Sequence, residues 1–280
     1  MKYRLVGSEM CIRDSAITGI ATAYMDSIPV VVISGQVASH LIGSDAFQET
    51  DMMGISRPIV KHSFLVQSAE EIPVVIKKAF HIATSGRPGP VVIDVPKNMT
   101  DPNYKFEYKY PKELVMRSFP ILGKGQDEKI ANAIELFRSA KKPVIYSGGG
   151  TIQADASKEL TEFSKLIGCP VTNTLMGLGA FPGDDDQFVG MLGMHGTYEA
   201  NMVMSEADLI FNVGARFDDR ITNNPSKFGL EAKKIHIDSD PSSIDKIIGV
   251  DLAIEGDAKL VMQQLIAVSY THLTLPTKQM

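Results

Sequence analysis

The stretch "KPVIYSGGG", Lys142–Gly150, decides the fold. A short apolar run with β-branched members, entered by a proline and stopped by three glycines, reads as a strand buried on both faces. Before it, "DEKIANAIELFRSA" (127–140) has the apolar spacing of an amphipathic helix. After it, "ASKELTEFSKLIG" (156–168) is a second helix, closed by Gly168, and "PVTNTL" (170–175) is a second strand. Strands that alternate with helices in this way build βαβ units and a parallel sheet. Farther on, "ADLIFNVGA" (207–215) and "KKIHIDSD" (233–240) are two more strands that end in glycine or aspartate.

The first half repeats the alternation. "AITGIATAYMDS" (16–27) reads as a helix and "PVVVISGQV" (29–37) as a strand buried on both faces. "SAEEIPVVIKKAFHIATSG" (68–86) opens with a Ser-x-x-Glu capping box, Ser68 and Glu71, and ends at Gly86, so it predicts a helix. "GPVVIDVP" (89–96) is another buried strand. Between the halves, 101–126 holds three prolines, many charges and no sustained period, which predicts an interdomain linker. The expected fold class is α/β, with two doubly wound parallel-sheet domains over 16–100 and 127–267.

Both ends ask for a different origin. Met10–Ser15 can be encoded by ATG TGT ATA AGA GAC AGC, and Val268–His272 by GTC TCT TAT ACA CAT. The second string is the reverse complement of part of the first and resembles a transposon end used in preparing sequencing libraries. Residues 1–15 and 268–280 are therefore expected to be translated library DNA, flanking an internal fragment.

Composition sets further bounds. The chain has 280 residues, 44% of them hydrophobic and 22% charged, which is ordinary globular composition. A net charge of −5 without a basic block gives no electrostatic case for nucleic acid. Two cysteines, Cys11 and Cys169, suit a reducing cytoplasm better than a disulfide framework or a cysteine metal site. No apolar run approaches the ~20 residues of a membrane span.

Open parallel sheets bind ligands at the carboxyl ends of their strands. In the second half those ends carry Gly148, Gly149 and Gly150; then "LMGLGAFPGD"; then "GARFDDR", with Gly214, Arg216 and Arg220; then Asp238, an acid where an adenosine ribose is often held. A glycine after a strand is commonly a plain turn, so the four ends count together rather than singly. "MLGMHGT" adds Met194 as a polarizable surface for a flat ring, His195 as a polar contact and Gly196 for close approach; its plainer reading is a loop with a buried methionine and a solvated histidine. G-x-G-x-x-G is absent, and so is the P-loop. His40, His62, His81 and His236 form no metal-ligand spacing, and Asp184–Asp186 reads as a solvated turn. In the first half, Phe47 and Gln48 fall on a loop, Arg87 on a helix-to-strand turn and Lys97 after the last strand. Read alone, Arg87 caps a helix carboxyl end and Lys97 is a surface charge.

Together, "GQV…GSDAFQETD", "GRPGPVVIDVPKN", "TLMGLGAFP", "LGMHGT", "ADLIFNVGARFDDR" and "IHIDSDP" resemble the acetolactate synthase (acetohydroxyacid synthase) large-subunit family of thiamine diphosphate enzymes, over essentially all of 16–267. The resemblance implies the later part of a pyrimidine-binding domain over 16–100 and a central FAD-binding domain over 127–267. It implies flavin contacts from Arg87, Gly148, Gly149, Gly150, Thr174, Leu175, Met176, Met194, His195, Gly196, Thr197, Gly214, Arg216, Asp238 and Asp257. Phe47, Gln48, Lys97 and Arg220 would lie near the substrate and thiamine.

Family members condense pyruvate with a second 2-keto acid and release CO2 in branched-chain amino-acid biosynthesis, using thiamine diphosphate, Mg2+ and a structural FAD. They are cytoplasmic homo-oligomers that can carry a small regulatory subunit. Ala38 stands where many members have proline, and Ser239 where isoleucine is common. The family's catalytic glutamate would lie upstream of Ala16 and its diphosphate–magnesium segment after 267. No catalytic acid or metal ligand is expected here, and residues 16–267 alone are expected to form no acetolactate. Two alternatives stand beside this: another thiamine carboligase or oxidase, such as glyoxylate carboligase or pyruvate oxidase, and a stand-alone nucleotide-binding module. The order of "AFQET", Lys97 and "GARFDDR" argues against the first.

Overall fold

A computed structural model describes residues 10–272, except 117, 120, 219, 220 and 223, with side chains described from 16 to 270. The described residues divide into two compact units between 121 and 122.

The first unit contains helices α1 (Met10–Met25), α2 (Met52–Ser56) and α3 (Ile72–Thr84) and strands β1 (Val31–Gln36), β2 (His62–Leu65) and β3 (Val91–Pro96). All strands are parallel in the order β1-β3-β2, and β3 is central and almost wholly buried. Alternation along β3 sends Val91 and Ile93 toward α3, and Val92 toward Ile20 of α1 and Met52 of α2. β1 departs from its expected burial on both faces. It is an edge strand, and Ile33 is 64% exposed. The capping box also differs: the Ser68 side chain makes no cap, and the Glu71 carboxylate accepts from the Gln67 backbone N–H. A short 3-10 turn precedes α3, which begins at Ile72 with Pro73 in its first turn. β2 and α2 were not anticipated; each is too short to show a period.

Among its described residues up to 121 the expected linker has no regular helix or strand, and hydrogen bonds tie it to α3 and to the turn before α3. The Tyr104 hydroxyl donates to Glu70 at 2.6 Å, and Lys77 Nζ to the Pro111 and Lys112 carbonyls at 2.6 and 2.7 Å. Near the end of α3, Lys61 Nζ donates to the Ile82 and Ser85 carbonyls and sits 5.5 Å from the centre of the Phe119 ring. These acceptors and the ring favour an ammonium, but burial outweighs them and pulls Lys61 down to about 8. Between that value and the ordinary lysine range, the unfolded chain holds a proton that the folded chain has lost. Stability of the first unit is therefore expected to rise with pH across that window, and Lys61→Met to remove the slope; urea midpoints measured through alkaline pH check this.

The second unit is a six-stranded all-parallel sheet in the order β6-β5-β4-β7-β8-β9. The strands are β4 (Pro143–Ser147), β5 (Val171–Asn173), β6 (Phe188–Met191), β7 (Leu209–Val213), β8 (Lys233–Asp238) and β9 (Leu252–Glu255). Helices α4 (Asp127–Ser139), α6 (Ser157–Ile167) and α8 (Ala258–His272) contribute to the core on one face with Ile145, Phe211, Val213, Ile235 and Ile237. Helix α7 (Tyr198–Glu206) contributes Met204 to the opposite core, with Val144, Tyr146, Ile210 and Phe217. A single turn of helix, α5 (Gly149–Gln153), follows β4. Gly168 closes α6 in the left-handed region, φ +67°. Helices α1 and α8 run across the junctions expected at 15/16 and 267/268, and Ser269 is buried. β6, β9, α5, α7 and α8 were not anticipated.

Candidate functional site

Counted from β4, the second sheet runs third, second, first, fourth, fifth, sixth, the strand order of dinucleotide-binding sheets. The order reverses between β4 and β7, where a crevice for a ligand is expected at the carboxyl ends. β4 passes through Gly148 into Gly149 and Gly150 at the start of α5, and β7 passes into the turn Gly214–Arg216.

The glycines there serve first to bring two backbones together. A Cβ on Gly148 would lie 2.3 Å from the Gly214 carbonyl oxygen, and one on Gly150 would lie 2.8 Å from Gly214 Cα. Gly214 itself has φ +59°. The Gly148 N–H donates to the Val213 carbonyl at 2.9 Å and the Gly150 N–H to the Gly214 carbonyl at 3.0 Å. Those two amides are committed to the protein. A Cβ on Gly149 would meet Met176 Cβ at 3.1 Å, so this glycine faces the next turn of the rim.

That next turn follows β5. Thr174 Oγ1 accepts from the Gly177 N–H at 2.9 Å, and Leu175 and Met176 stand 69% and 45% exposed. Beyond β6, Met194 is 73% exposed, against the plainer reading of a buried methionine, and His195 is exposed. Gly196 is required by a close approach, because its Cβ would lie 2.1 Å from the Met191 carbonyl oxygen. Thr197 caps α7: Oγ1 accepts from the Ala200 N–H at 3.2 Å and donates to the Val189 carbonyl at 2.6 Å. Asp257 plays the same part for α8, accepting from the Leu260 N–H at 3.0 Å. Arg216 pairs with Asp218 at 3.5 Å, and Asp238 Oδ1 accepts from the Asp240 N–H at 2.8 Å. Arg220 lies outside the described residues.

The rim fits a flat ligand with polar edges. Leu175, Met176 and Met194 are apolar and exposed, a surface that water covers poorly. Between the ends of β4 and β6, Asn173 is fully buried and neither polar atom of its side chain has a hydrogen-bond partner. An unmet buried amide is costly unless a ligand or water meets it. This residue was missed, since nothing in "PVTNTL" separates a strand asparagine from a turn one. Burial pushes the Cys169 thiol up to about 12, so it is no nucleophile. Burial, then the Asp218 charge, push the Tyr146 phenol up, so it stays protonated.

In the first unit, Phe47 (89% exposed) and Gln48 (φ +65°) sit on the loop after β1, and Lys97 is exposed on the turn after β3. Neighbouring Asn98 ties that turn to the loop: its Oδ1 accepts from the Ser39 N–H at 2.8 Å and its Nδ2 donates to Ser39 Oγ at 3.0 Å. Arg87 Nε donates to Ser27 Oγ at 2.7 Å and a second guanidinium nitrogen reaches the Met25 carbonyl at 3.4 Å. It therefore caps the carboxyl end of α1 rather than that of α3. Asp185, expected to be solvated, pairs with Lys165 at 2.6 Å. Among the described residues there is no cluster of three metal-ligating side chains, and no helix is long and apolar enough to cross a membrane.

Comparison with known proteins places the chain in a family. The profile described as "Thiamine pyrophosphate enzyme, central domain" matches residues 130–265, and "Thiamine pyrophosphate enzyme, N-terminal TPP binding domain" matches 14–55. The chain belongs to the thiamine pyrophosphate enzymes. Within them, it is 58% identical over 252 residues to an acetolactate synthase large subunit of Buchnera aphidicola (Acyrthosiphon pisum) and 56% identical over 252 residues to the acetolactate synthase isozyme 3 large subunit of Escherichia coli K12, alignments that take in 90% of this chain. It is 46% identical over 256 residues, 91% of the chain, to an acetolactate synthase of Mycobacterium bovis. The chain spans 44% of the length of the first two relatives and 41% of the third.

Proposed function

We propose that this chain is part of an acetolactate synthase large subunit, which condenses pyruvate with pyruvate or 2-ketobutyrate and releases CO2 in branched-chain amino-acid biosynthesis. The observation that carries this reading is 58% identity over 252 residues to an acetolactate synthase large subunit. The order of "AFQET", Lys97 and "GARFDDR" favours it over other thiamine carboligases and oxidases.

In this reading the second unit holds FAD. Leu175, Met176 and Met194 would cover the flat ring, Gly149, Thr174, His195, Gly196 and Thr197 would line its approach, and Asp238 and Asp257 would face the polar parts. Gly148, Gly150 and Gly214 act at one remove, by setting the crevice, and Arg216 supplies positive charge beside it. In this reading the flavin is structural. Thiamine diphosphate, with Mg2+, supplies the carbon nucleophile of the reaction; Phe47, Gln48 and Lys97 bind and orient the keto acid beside it. The protein is a cytoplasmic homo-oligomer, open to a small regulatory subunit. Full-length protein given pyruvate is expected to form acetolactate with loss of CO2. Turnover of glyoxylate, or oxidation of pyruvate without acetolactate, would overturn this in favour of another thiamine enzyme.

A further inference from the structure

The loop bearing Phe47 and Gln48 leaves β1 at Val37 and runs through Thr50 into α2, and one buried side chain holds both ends. Gln36, the last residue of β1, is 8% exposed. Its Nε2 donates to the Thr50 carbonyl at 2.7 Å and to Asp94 Oδ2 at 2.9 Å, while Oε1 accepts from the Val37 N–H at 2.9 Å. Both amide hydrogens and the amide oxygen are thus engaged. Asp94 is 1% exposed on the central strand β3, so the anchor point lies in the buried middle of the sheet.

The loop's other ties are of a different kind. Glu49 accepts from the Gly43 and Ala46 N–H groups, which shapes the loop without joining it to the sheet, and the Ser39–Asn98 pair is exposed. Within the loop, Gln48 has φ +65° and Asp45 φ +58°, conformations that residues with a Cβ keep only where the surroundings hold them.

We propose that Gln36 and Asp94 are positioning residues for the substrate side of the site: Gln36 clamps the two ends of the Phe47–Gln48 loop together, and Asp94 anchors Gln36 to β3. The meaning of this clamp for catalysis rests on the reading of Phe47 and Gln48 as substrate neighbours.

Hydrogen exchange of the whole chain, read by mass spectrometry, tests the clamp without any ligand. In Gln36→Leu the amides of 37–50 are expected to exchange about tenfold faster or more, with α3, β3 and the second unit unchanged. Asp94→Leu is expected to do the same, whereas Asp94→Asn keeps an acceptor oxygen for Gln36 and exchanges like the parent. If Gln36→Leu does not fold, Gln36→Met reads the same loss, because it keeps the length of the side chain and removes the amide donor and acceptor. Unchanged loop exchange in these variants would overturn the clamp, as would acceleration spread equally over α3 and β3, the mark of a merely structural pair. The substrate reading is tested separately by acetolactate formation in full-length Gln48→Ala. Full activity there, with a loosened loop in Gln36→Leu, removes the catalytic meaning and leaves the clamp standing.

Discussion

Gly148→Val is expected to abolish flavin binding and to cost the second unit ~3 kcal/mol or more of stability. The added Cβ would lie 2.3 Å from the Gly214 carbonyl oxygen, 2.5 Å from Ala215 Cα and 2.6 Å from Ala215 Cβ. These neighbours are backbone or bound to it, so no flexible side chain can yield. The β4 and β7 turns must separate, which opens the crevice where the sheet order reverses. Gly168→Ala is the control. Gly148 has an ordinary φ of −112°, whereas Gly168 is left-handed, at φ +67°, and nothing lies within 4 Å of its added Cβ. It should cost only the ~1 kcal/mol of a strained backbone and leave flavin binding intact. Urea unfolding and FAD titration of the two variants separate close approach from backbone conformation.

Phe211→Ala is the second large effect, expected at ~3–5 kcal/mol. Phe211 is fully buried at the middle of β7, its ring 5.1 Å from Phe137 of α4 and 5.5 Å from Phe163 of α6; those two rings lie 5.3 Å apart. The cluster joins two helices to the sheet, and removing its central ring leaves a cavity that three elements must close. Phe211→Leu, which keeps most of the volume, is expected to lose far less. The urea midpoint reads both, and an alanine variant as stable as the parent would contradict the packing described.

The strands that were legible in the sequence are those whose burial leaves little choice of residue. "VVIDVP", "PVIYS" and "LIFNV" became β3, β4 and β7, each almost entirely buried. "VVISGQ" has the same look, yet β1 is an edge: neighbours across the sheet, not the strand's own residues, decide whether Ile33 is covered. β6 and β9 stayed hidden because "FVGM" is broken by a glycine and "LAIE" has neither a β-branched run nor an entering proline, whereas the shorter β5 is announced by Gly168 and Pro170. For the site, the glycines and exposed methionines were visible as residue types at strand ends. Their division of labour was not. That Gly148 and Gly150 serve the Gly214 turn, and that Thr197 and Asp257 cap helices, follows from distances between segments far apart in sequence. Gln36, Asp94 and Asn173 were passed over for the same reason: a polar residue in a strand shows its purpose only when its partner, or the lack of one, is seen.

The most direct measurement is a thermal melt of the purified chain with FAD, NAD or ADP, each in large excess. A ligand that binds only the folded state at a hundred times its Kd adds ~2.7 kcal/mol, enough to move a melting transition clearly. FAD is expected to raise the melting temperature, the protein to retain the visible absorption of a bound flavin, and NAD to produce no comparable shift. Stabilisation by NAD or ADP with none by FAD would contradict the flavin reading.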